Sequence, residues 1–263
     1  MPNFREIYPR YWPGSGTATP AEDYLNTRIT GAVEGALWNC WDDTTLAQNS
    51  DGSGTVGLGD IVGYAEGSRG DGTLNAIQAT AANKLMYRAA PTGENGIYCP
   101  GSGDYLEATT GNVTQGTNDA VWLGARFTSE ASFTAINEAF FAWTNAAYTV
   151  YIEAYSGTTQ ASKWASSAGT LTGPANFATS TTYYILGKWS LANSRFFLDS
   201  YLDANGTTGV TNNYTRLTIG NVGNIAGIAC INFTLHKVFG TSLDLNPLDL
   251  ATVQYILANQ GNV

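Results

Sequence analysis

Charged side chains are scarce in this chain: Asp, Glu, Lys and Arg make up 13% of its 263 residues, against about 25% in an average soluble domain. Gly, Ala, Ser, Thr and Asn fill the gap, and 30 Gly together with 15 Tyr favour strands and turns over long surface helices. The net charge is −9, and the sequence has no Lys/Arg cluster that could displace counterions from phosphates. Both features argue against a nucleic-acid partner.

Cysteine and histidine are also few. Cys40, Cys99 and Cys230 are odd in number, lie far apart and form no C-x-x-C pair. They are better explained as small buried side chains than as metal ligands or a disulfide framework. His236 is the only histidine, which excludes a His-rich metal site. We therefore expect no metal and no cofactor.

Long apolar runs are missing as well. No stretch approaches the roughly 20 apolar residues of a membrane-spanning helix, and the first residues lack the apolar core of a signal peptide. We expect a protein that is made and folded in a cytoplasm and does not insert into a membrane. The length of 263 residues suits one all-β sandwich with an appendage, large enough to fold without disulfides.

The stretch 183–206 is the most informative part of the sequence, because it predicts a β-hairpin. Tyr183–Trp189 is aromatic and β-branched, Ser194–Leu202 alternates, and the turn falls at residues 192–193. The alternation places Phe196, Leu198 and Leu202 on one face. On the other face it places Arg195, Phe197, Asp199 and Tyr201.

Strand-length runs recur between turns from residue 97 onward. The predicted strands are Asp104–Thr109, Ala120–Thr128, Glu138–Trp143, Tyr148–Tyr155, Tyr183–Trp189, Ser194–Leu202, Thr215–Gly220 and Gly227–Phe239. In the last of them Phe233, Leu235 and Phe239 point inward, while His236 lies on a solvated or subunit-facing side. So many strands with almost no helix between them predict antiparallel sheets in a sandwich or jelly roll.

The two ends differ from this middle. Residues 1–36 hold half of the prolines, interleaved with Tyr8, Tyr11, Trp12 and Tyr24, which favours an arm that anchors on a neighbouring subunit over a flexible leader. A short helix is expected within Ala21–Val33. Near the other end, a helix is predicted with Asn246 as N-cap and Pro247 at its first position. Its apolar stripe is Leu250, Val253, Ile256 and Leu257. The domains are thus an arm over 1–36 and a sandwich over 37–263.

Glycine-rich turns fill residues 37–88. The first glycine cluster lacks the order of a phosphate-binding loop. The aspartates in these turns have two interpretations: they are calcium ligands, or they stabilise the turns. Their spacing does not follow an EF-hand. They are Asp42, Asp43, Asp51, Asp60 and Asp71.

Several motifs occur in an order that points to a known family. The segment 38–88 begins WNCWDD, contains GDIVG at residues 59–63 and NAIQAT at residues 75–80, and is followed by GDYL at 103–106 and RLTIG at 216–220. This order resembles the concanavalin A-like (laminin-G-like) lectin/glucanase modules found in bacteriophage structural proteins, over about residues 37–260. The resemblance implies a two-sheet antiparallel jelly-roll sandwich with an extended N-terminal arm and a short C-terminal helix.

The resemblance also implies a non-enzymatic virion structural protein, placed as a head decoration or as a tail or fibre component. Its partners would then be other virion proteins and further copies of itself, and a trimer would suit a projecting part. Glucanases of this fold carry an E-x-D-x-x-E strand pattern, which this chain lacks, and Glu138 and Glu153 fall on separate predicted strands. We therefore expect no enzyme, with an endoglycanase as the remaining alternative.

A carbohydrate-binding adhesin for host-surface glycans is the alternative function. Sugars stack on aromatic rings and bond to Asp, Asn and Arg side chains. The same aromatic residues could instead form cross-strand pairs or a protein interface. The candidate carbohydrate-binding residues are Trp122, Tyr151, Glu153, Tyr155, Arg195, Phe197, Asp199 and Tyr201.

Overall fold

The computed structural model describes residues 20–30, 33–99, 103–114, 121–130, 138–145, 149–154, 161–166, 169–190, 193–207, 213–221 and 233–259. Within these ranges the chain is mostly β-strand, arranged in two antiparallel sheets that pack face to face. This confirms the predicted concanavalin A-like sandwich with its short C-terminal helix. Tyr8, Tyr11 and Trp12, which the sequence predicts to anchor a neighbouring subunit, lie outside the described residues.

Twenty strands and two α-helices are present in the described ranges. In chain order they are α1 (Pro20–Arg28), β1 (Gly35–Trp38), β2 (Leu46–Ala47), β3 (Ile61–Val62), β4 (Tyr64–Ala65), β5 (Gly67–Arg69), β6 (Gly72–Thr73), β7 (Ala76–Ile77), β8 (Leu85–Ala89), β9 (Asn95–Tyr98), β10 (Tyr105–Thr114), β11 (Val121–Ser129), β12 (Glu138–Thr144), β13 (Thr149–Ala154), β14 (Ala161–Ser166), β15 (Gly169–Asn176), β16 (Thr181–Trp189), β17 (Ser194–Leu198), β18 (Tyr201–Gly206), β19 (Asn213–Gly220), β20 (Phe233–Thr241) and α2 (Pro247–Ala258). Neither helix is long and apolar enough to cross a membrane.

The first sheet has the order β18-β17-β16-β11-β20-β1-β5-β6, with β9 beside β20 and then β8 and β3. The second sheet has the order β15-β14-β13-β12-β19-β10-β7-β4-β2. Strands that neighbour each other in the sheets are often distant in sequence, as where β1 and β11 flank β20. Such crossovers between two layers are typical of a jelly roll.

The main core lies between the two sheets and is rich in aromatic side chains. Phe127 of β11 is fully buried, and its ring centroid lies 5.4 Å from that of Phe177 and 5.3 Å from that of Phe233, both edge to face. Tyr183 packs on the same ring at 5.9 Å. Edge-to-face rings add attraction to the burial of apolar area, so this cluster ties β11, β16 and β20 together.

The two helices form a third layer on the outward face of the first sheet. Both predicted cap residues of α2 are confirmed: the Asn246 side chain accepts hydrogen bonds from the backbone at Leu248 and Asp249, and Pro247 opens the helix. The apolar cluster of this layer consists of Ala21, Leu25, Ile29, Leu37, Trp122, Leu186, Phe239, Val253, Ile256 and Leu257. Gly124 lies under Leu257, since a Cβ there would come within 2.8 Å of a Leu257 methyl carbon.

Helix α1 is joined to α2 by polar contacts of this one chain. The Tyr24 hydroxyl donates to the Asp249 carboxylate at 2.9 Å, and the Arg28 guanidinium donates to the same carboxylate at 3.1 Å. Tyr24, predicted to anchor a neighbouring subunit, therefore holds a helix of its own chain. Residues 20–30 and 33–36 pack on the sandwich, so these parts of the predicted arm belong to the folded body.

Charged side chains lie between the first sheet and the end of α2. Arg126 donates two hydrogen bonds to Glu94, at 2.6 and 3.2 Å, and a third to the carbonyl oxygen of Ala258 at 2.9 Å. The Lys237 ammonium lies 3.6 Å from Glu22 and donates to the Ile256 carbonyl at 3.3 Å. Both cations thus sit at the C-terminal end of the helix, where its dipole and its unpaired carbonyls favour positive charge.

His236 corrects two expectations. The β11–β20 register moves from Arg126 opposite Lys237 to Phe127 opposite Leu235, so His236 is the extra residue of a β-bulge. It is fully buried rather than solvated, and its ring bonds to Thr128 and to the Asn95 carbonyl. Burial lowers the pKa of its imidazole, which favours the neutral ring. Beyond the bulge the alternation is reversed, and Phe239 packs under the helices rather than in the main core.

The predicted strand Ser194–Leu202 is also interrupted. Asp199 and Ser200 have positive φ values of 47° and 70°, the backbone of a tight hairpin turn. Because Tyr201 pairs with Leu198 and Leu202 pairs with Phe197, the two faces are exchanged after the turn. The predicted faces are therefore correct up to Leu198, whereas Tyr201 and Leu202 lie on the faces opposite to those predicted.

Candidate functional site

The outward face of the second sheet carries aromatic and polar side chains at one end. In β4, Ala65 is buried in the core, so the neighbouring Tyr64 points away from it. In β7, Ala76 is buried in the core and Ile77, which is 44% exposed, points outward. Tyr64 and Ile77 are direct cross-strand partners, so their side chains share this outward face.

The next two strands extend the same face. Glu107 of β10 is the cross-strand partner of Ile77 on one side and of Thr218 on the other. Arg216 of β19 lies opposite Thr109, and its guanidinium donates to the Glu107 carboxylate at 3.1 Å. Glu107 and Arg216 therefore form a diagonal ion pair across neighbouring strands, with side chains 27% and 36% exposed.

A cavity of about 450 Å³ opens at this end of the sheet. Its lining combines one aromatic ring, two aliphatic side chains, two carboxylates, an amide and two hydroxyls. The lining residues are Ser50, Asp51, Tyr64, Leu74, Asn75, Ile77, Glu107 and Thr109. Towards the centre of the sheet the same face is buried, because the side chains of Thr218 and Thr144 are only 3% and 2% exposed.

Asp51 is held at the rim of the cavity by a tight turn. Its carboxylate accepts hydrogen bonds from the backbone N–H of Ser53 at 3.0 Å and from the Ser53 hydroxyl at 2.6 Å. These bonds lower the pKa of the carboxyl group, since they stabilise the ionised form. Gly52 supplies the positive φ of 84° that the turn needs, and a Cβ there would lie 3.6 Å from the Tyr64 ring.

The aromatic side of the cavity is formed by Tyr64. Burial raises the pKa of its hydroxyl, and a side-chain hydrogen bond with Asn75 acts in the opposite direction. The hydroxyl is therefore neutral at physiological pH, and the half-buried ring offers one flat apolar surface. A ring of this kind beside carboxylate and amide groups can bind a molecule that has both apolar faces and hydroxyl groups.

The sequence-predicted carbohydrate residues fall into two separate places. Tyr151 and Glu153 belong to β13 of the second sheet, where Tyr151 pairs with Ala142 and Ala142 with Thr218. The backbone position of Tyr151 is thus on the cross-strand row that leads through Glu107 to Tyr64. Tyr155 lies outside the described residues.

The other five candidates belong to the first sheet, so Tyr201 and Tyr151 do not share a face. Trp122 is 3% exposed beneath the helix layer, and Phe197 packs against the same layer. The Trp122 ring is therefore closed to a sugar, which corrects its assignment, and the Phe197 ring is partly buried. Arg195 is exposed, the Asp199 carboxylate accepts a hydrogen bond from the Tyr184 backbone within its turn, and Tyr201 is 73% exposed.

Sequence reasoning missed Tyr64, Glu107 and Arg216. The only signal near them was the aspartates of the glycine-rich segment, of which Asp51 lines the cavity. Turn chemistry accounts for three of them: Asp42 bonds to Thr44, Asp51 to Ser53 and Asp60 to the Gly57 backbone. Among the described residues, no group of three or more His, Cys, Asp or Glu side chains is arranged to hold a metal ion.

Comparisons with known proteins identify the fold. No protein-family profile and no curated protein sequence matches the chain. A sialidase of Trypanosoma rangeli, solved with 2,3-difluorosialic acid, is similar over 89% of this chain and 34% of its own, at 13% identity and a TM-score of 0.56. An α-L-arabinofuranosidase is similar over 75% of this chain and 50% of its own, at 12% identity and a TM-score of 0.53. The ligand-binding domain of botulinum neurotoxin serotype D, in complex with N-acetylneuraminic acid, has 9% identity, covers 70% of this chain and 48% of its own, and has a TM-score of 0.45.

These comparisons overturn the expectation that the chain is not an enzyme. The sialidase and the arabinofuranosidase are enzymes, so the fold of this chain is one that enzymes contain. The expectation depended on one contiguous strand motif, whereas carboxylates on separate elements, such as Asp51 and Glu107 in the lining of one cavity, leave no motif. At 13% and 12% identity the likeness shows the fold alone, and the chain spans only about a third to a half of the lengths of these proteins. The chain has a two-sheet antiparallel β-sandwich fold.

Proposed function

We propose that the cavity on the second sheet binds carbohydrate. One observation carries the proposal: a half-buried tyrosine ring, an amide and two carboxylates line a single cavity of about 450 Å³. Sugar rings have apolar faces that stack on aromatic side chains and hydroxyls that donate to carboxylates. Strands hold Tyr64, Ile77 and Glu107, and a hydrogen-bonded turn holds Asp51, so the groups are positioned before a ligand arrives. Such preorganisation reduces the entropic cost of binding.

The likeness in fold to carbohydrate-active proteins supports this proposal. The sialidase and arabinofuranosidase structures share the fold with TM-scores of 0.56 and 0.53. Because fold alone does not assign function, the proposal depends on the cavity residues and not on this likeness.

Removing the Tyr64 ring is the direct test. We expect the wild-type chain to bind a subset of glycans on an array, and Tyr64→Ala to weaken the affinity for the best of them by about 10- to 100-fold, since a stacked aromatic contributes roughly 1–3 kcal/mol. Tyr64→Phe keeps the ring and should retain most of the affinity. Isothermal titration calorimetry with the best array glycan gives the dissociation constants.

Leu58→Ala provides the matched control. Leu58 is 64% exposed and does not line the cavity, so its truncation removes exposed apolar surface without touching the proposed contacts. A wild-type protein that binds no glycan, or a Tyr64→Ala variant that binds as tightly as the wild type, would show that this cavity is not a carbohydrate site.

We further propose that this module is displayed on the surface of a bacteriophage particle, as a head decoration or as a tail or fibre component. The support is the ordered set of motifs over residues 37–260 and the Pro, Tyr and Trp content of the first residues, which suits contacts with other virion proteins and with further copies of the chain. Immunogold labelling of purified particles is expected to locate the chain on their exterior. Its absence from intact particles would contradict the placement.

A further inference from the structure

We infer that the cavity selects neutral saccharides over sugars that carry a carboxylate, such as sialic acids. This inference deepens the proposed function and depends on it. It follows from the net charge at the cavity and from the carboxylate oxygens that can still accept hydrogen bonds from a ligand.

Two carboxylates line the cavity and their remaining oxygens are acceptors. Asp51 uses Oδ1 to accept from Ser53, and Glu107 uses Oε2 to accept from Arg216. The bonds from Ser53 and from Arg216 leave Oδ2 of Asp51 and Oε1 of Glu107 unused by these donors. An ionised carboxylate can only accept, so a ligand must bring donors, and sugar hydroxyls are donors.

The cation beside Glu107 is already engaged in an ion pair. Arg216 is paired with Glu107 at 3.1 Å, and within the described residues Asp51 at the rim has no cation in ion-pair contact. Two further charged side chains, one anionic and one cationic, affect the pKa values of cavity residues. Glu66 acts on the Tyr64 hydroxyl, and Lys84, which donates to the Gln48 carbonyl, acts on Asp51. The cavity therefore has a net negative charge.

A carboxylate on the ligand would meet this field with the same sign. It would displace water from Asp51 and Glu107 without gaining a free cation in return, and like charges brought together in a partly enclosed site repel. Specificity of this kind comes from repulsion of the wrong ligand as much as from attraction of the right one. A neutral ring with hydroxyl groups is not repelled in this way.

Matched pairs of immobilised glycans that differ only by a terminal sialic acid test the inference on the full chain. Lactose and 3′-sialyllactose are one such pair. We expect the neutral member of each bound pair to bind at least about tenfold more tightly. Raising the salt concentration should narrow the ratio, because screening weakens the repulsion. This salt series uses the unaltered protein and does not depend on any variant folding.

The Glu107→Gln variant tests whether the negative charge of this carboxylate causes the preference for the neutral glycan. Glutamine keeps an acceptor oxygen but removes the negative charge and frees Arg216, so the preference for the neutral member is expected to fall to about threefold or less. Asp244→Asn removes one negative charge from an exposed pair with Lys188 on the other sheet and should leave the ratio unchanged. Circular dichroism and thermal melting establish that both variants fold.

The failures are distinguishable. Equal or tighter binding of the sialylated members overturns the neutral preference while leaving a carbohydrate site in place. A ratio unaffected by Glu107→Gln overturns the assignment of the repulsion to this carboxylate. Binding to neither member of any pair overturns the proposed function itself, and the inference with it.

Discussion

Replacing Arg126 with methionine is expected to lower the free energy of unfolding by about 3–5 kcal/mol, the range for removing one partner of a buried ion pair. Arg126 and Glu94 have side chains that are only 11% and 13% exposed. Without the guanidinium, the Glu94 carboxylate stays desolvated with only the His236 imidazole, whose pKa burial lowers, at 3.4 Å, and the α2 carbonyls of Leu257 and Ala258 lose their donor. Methionine preserves much of the apolar length of the side chain, so the loss reports on charge and hydrogen bonds. Urea unfolding at neutral pH measures it.

Two further variants make this result specific. Glu94→Gln combined with Arg126→Met should recover part of the loss, because neither charge is then left unpaired. Arg195→Met changes an exposed arginine of the same sheet and should alter stability by no more than about 0.5 kcal/mol. If Arg126→Met costs under 1 kcal/mol, the ion pair does not hold the helix layer to the sheet.

Truncating Phe127 to alanine is expected to cost a comparable amount, about 3–5 kcal/mol, through a different mechanism. Phe127 follows Arg126 in β11 and points to the opposite side of the sheet, into the main core. The change removes three ring contacts, with centroids 5.3 to 5.9 Å apart, and leaves a cavity that rigid strands on both sides fill poorly. The fall in the free energy of unfolding is again read from urea denaturation.

Phe127→Leu is the matched comparison, since it keeps most of the apolar volume and should cost roughly 1–1.5 kcal/mol. The difference between the two variants measures the lost volume rather than the loss of aromatic character. A Phe127→Ala protein as stable as the wild type would mean that the aromatic cluster does not tie β11, β16 and β20 together as the ring contacts indicate.

Sequence pattern predicted the parts of the fold in which one period persists over many residues. Strands such as β11 and β16 were recognised because apolar and β-branched residues recur along nine positions each. The helix α2 was recognised from its cap, since Asn246 and Pro247 are a local signal that needs no tertiary context. The bulge at His236 and the turn at Asp199 were missed because they reverse the faces without any change in composition.

The candidate site could not be predicted for a related reason. Tyr64 and Ile77 each belong to a strand of two residues, too short to show alternation, so their segment looked like turns alone. The rings chosen instead, Trp122 and Phe197, do point away from the core, as predicted. Two helices that are distant in sequence cover that face. Alternation separates the two faces of a strand, but it does not indicate which face is exposed to solvent.

The position of β20 in the first sheet constrains the order in which the protein can be assembled on the ribosome. Residues 233–241 pair with β1, β9 and β11, so three segments made earlier have open edges until this strand emerges. Long-range pairing of this kind is slow, and open edges attract other chains. The nascent polypeptide therefore carries these edges unpaired through most of its synthesis.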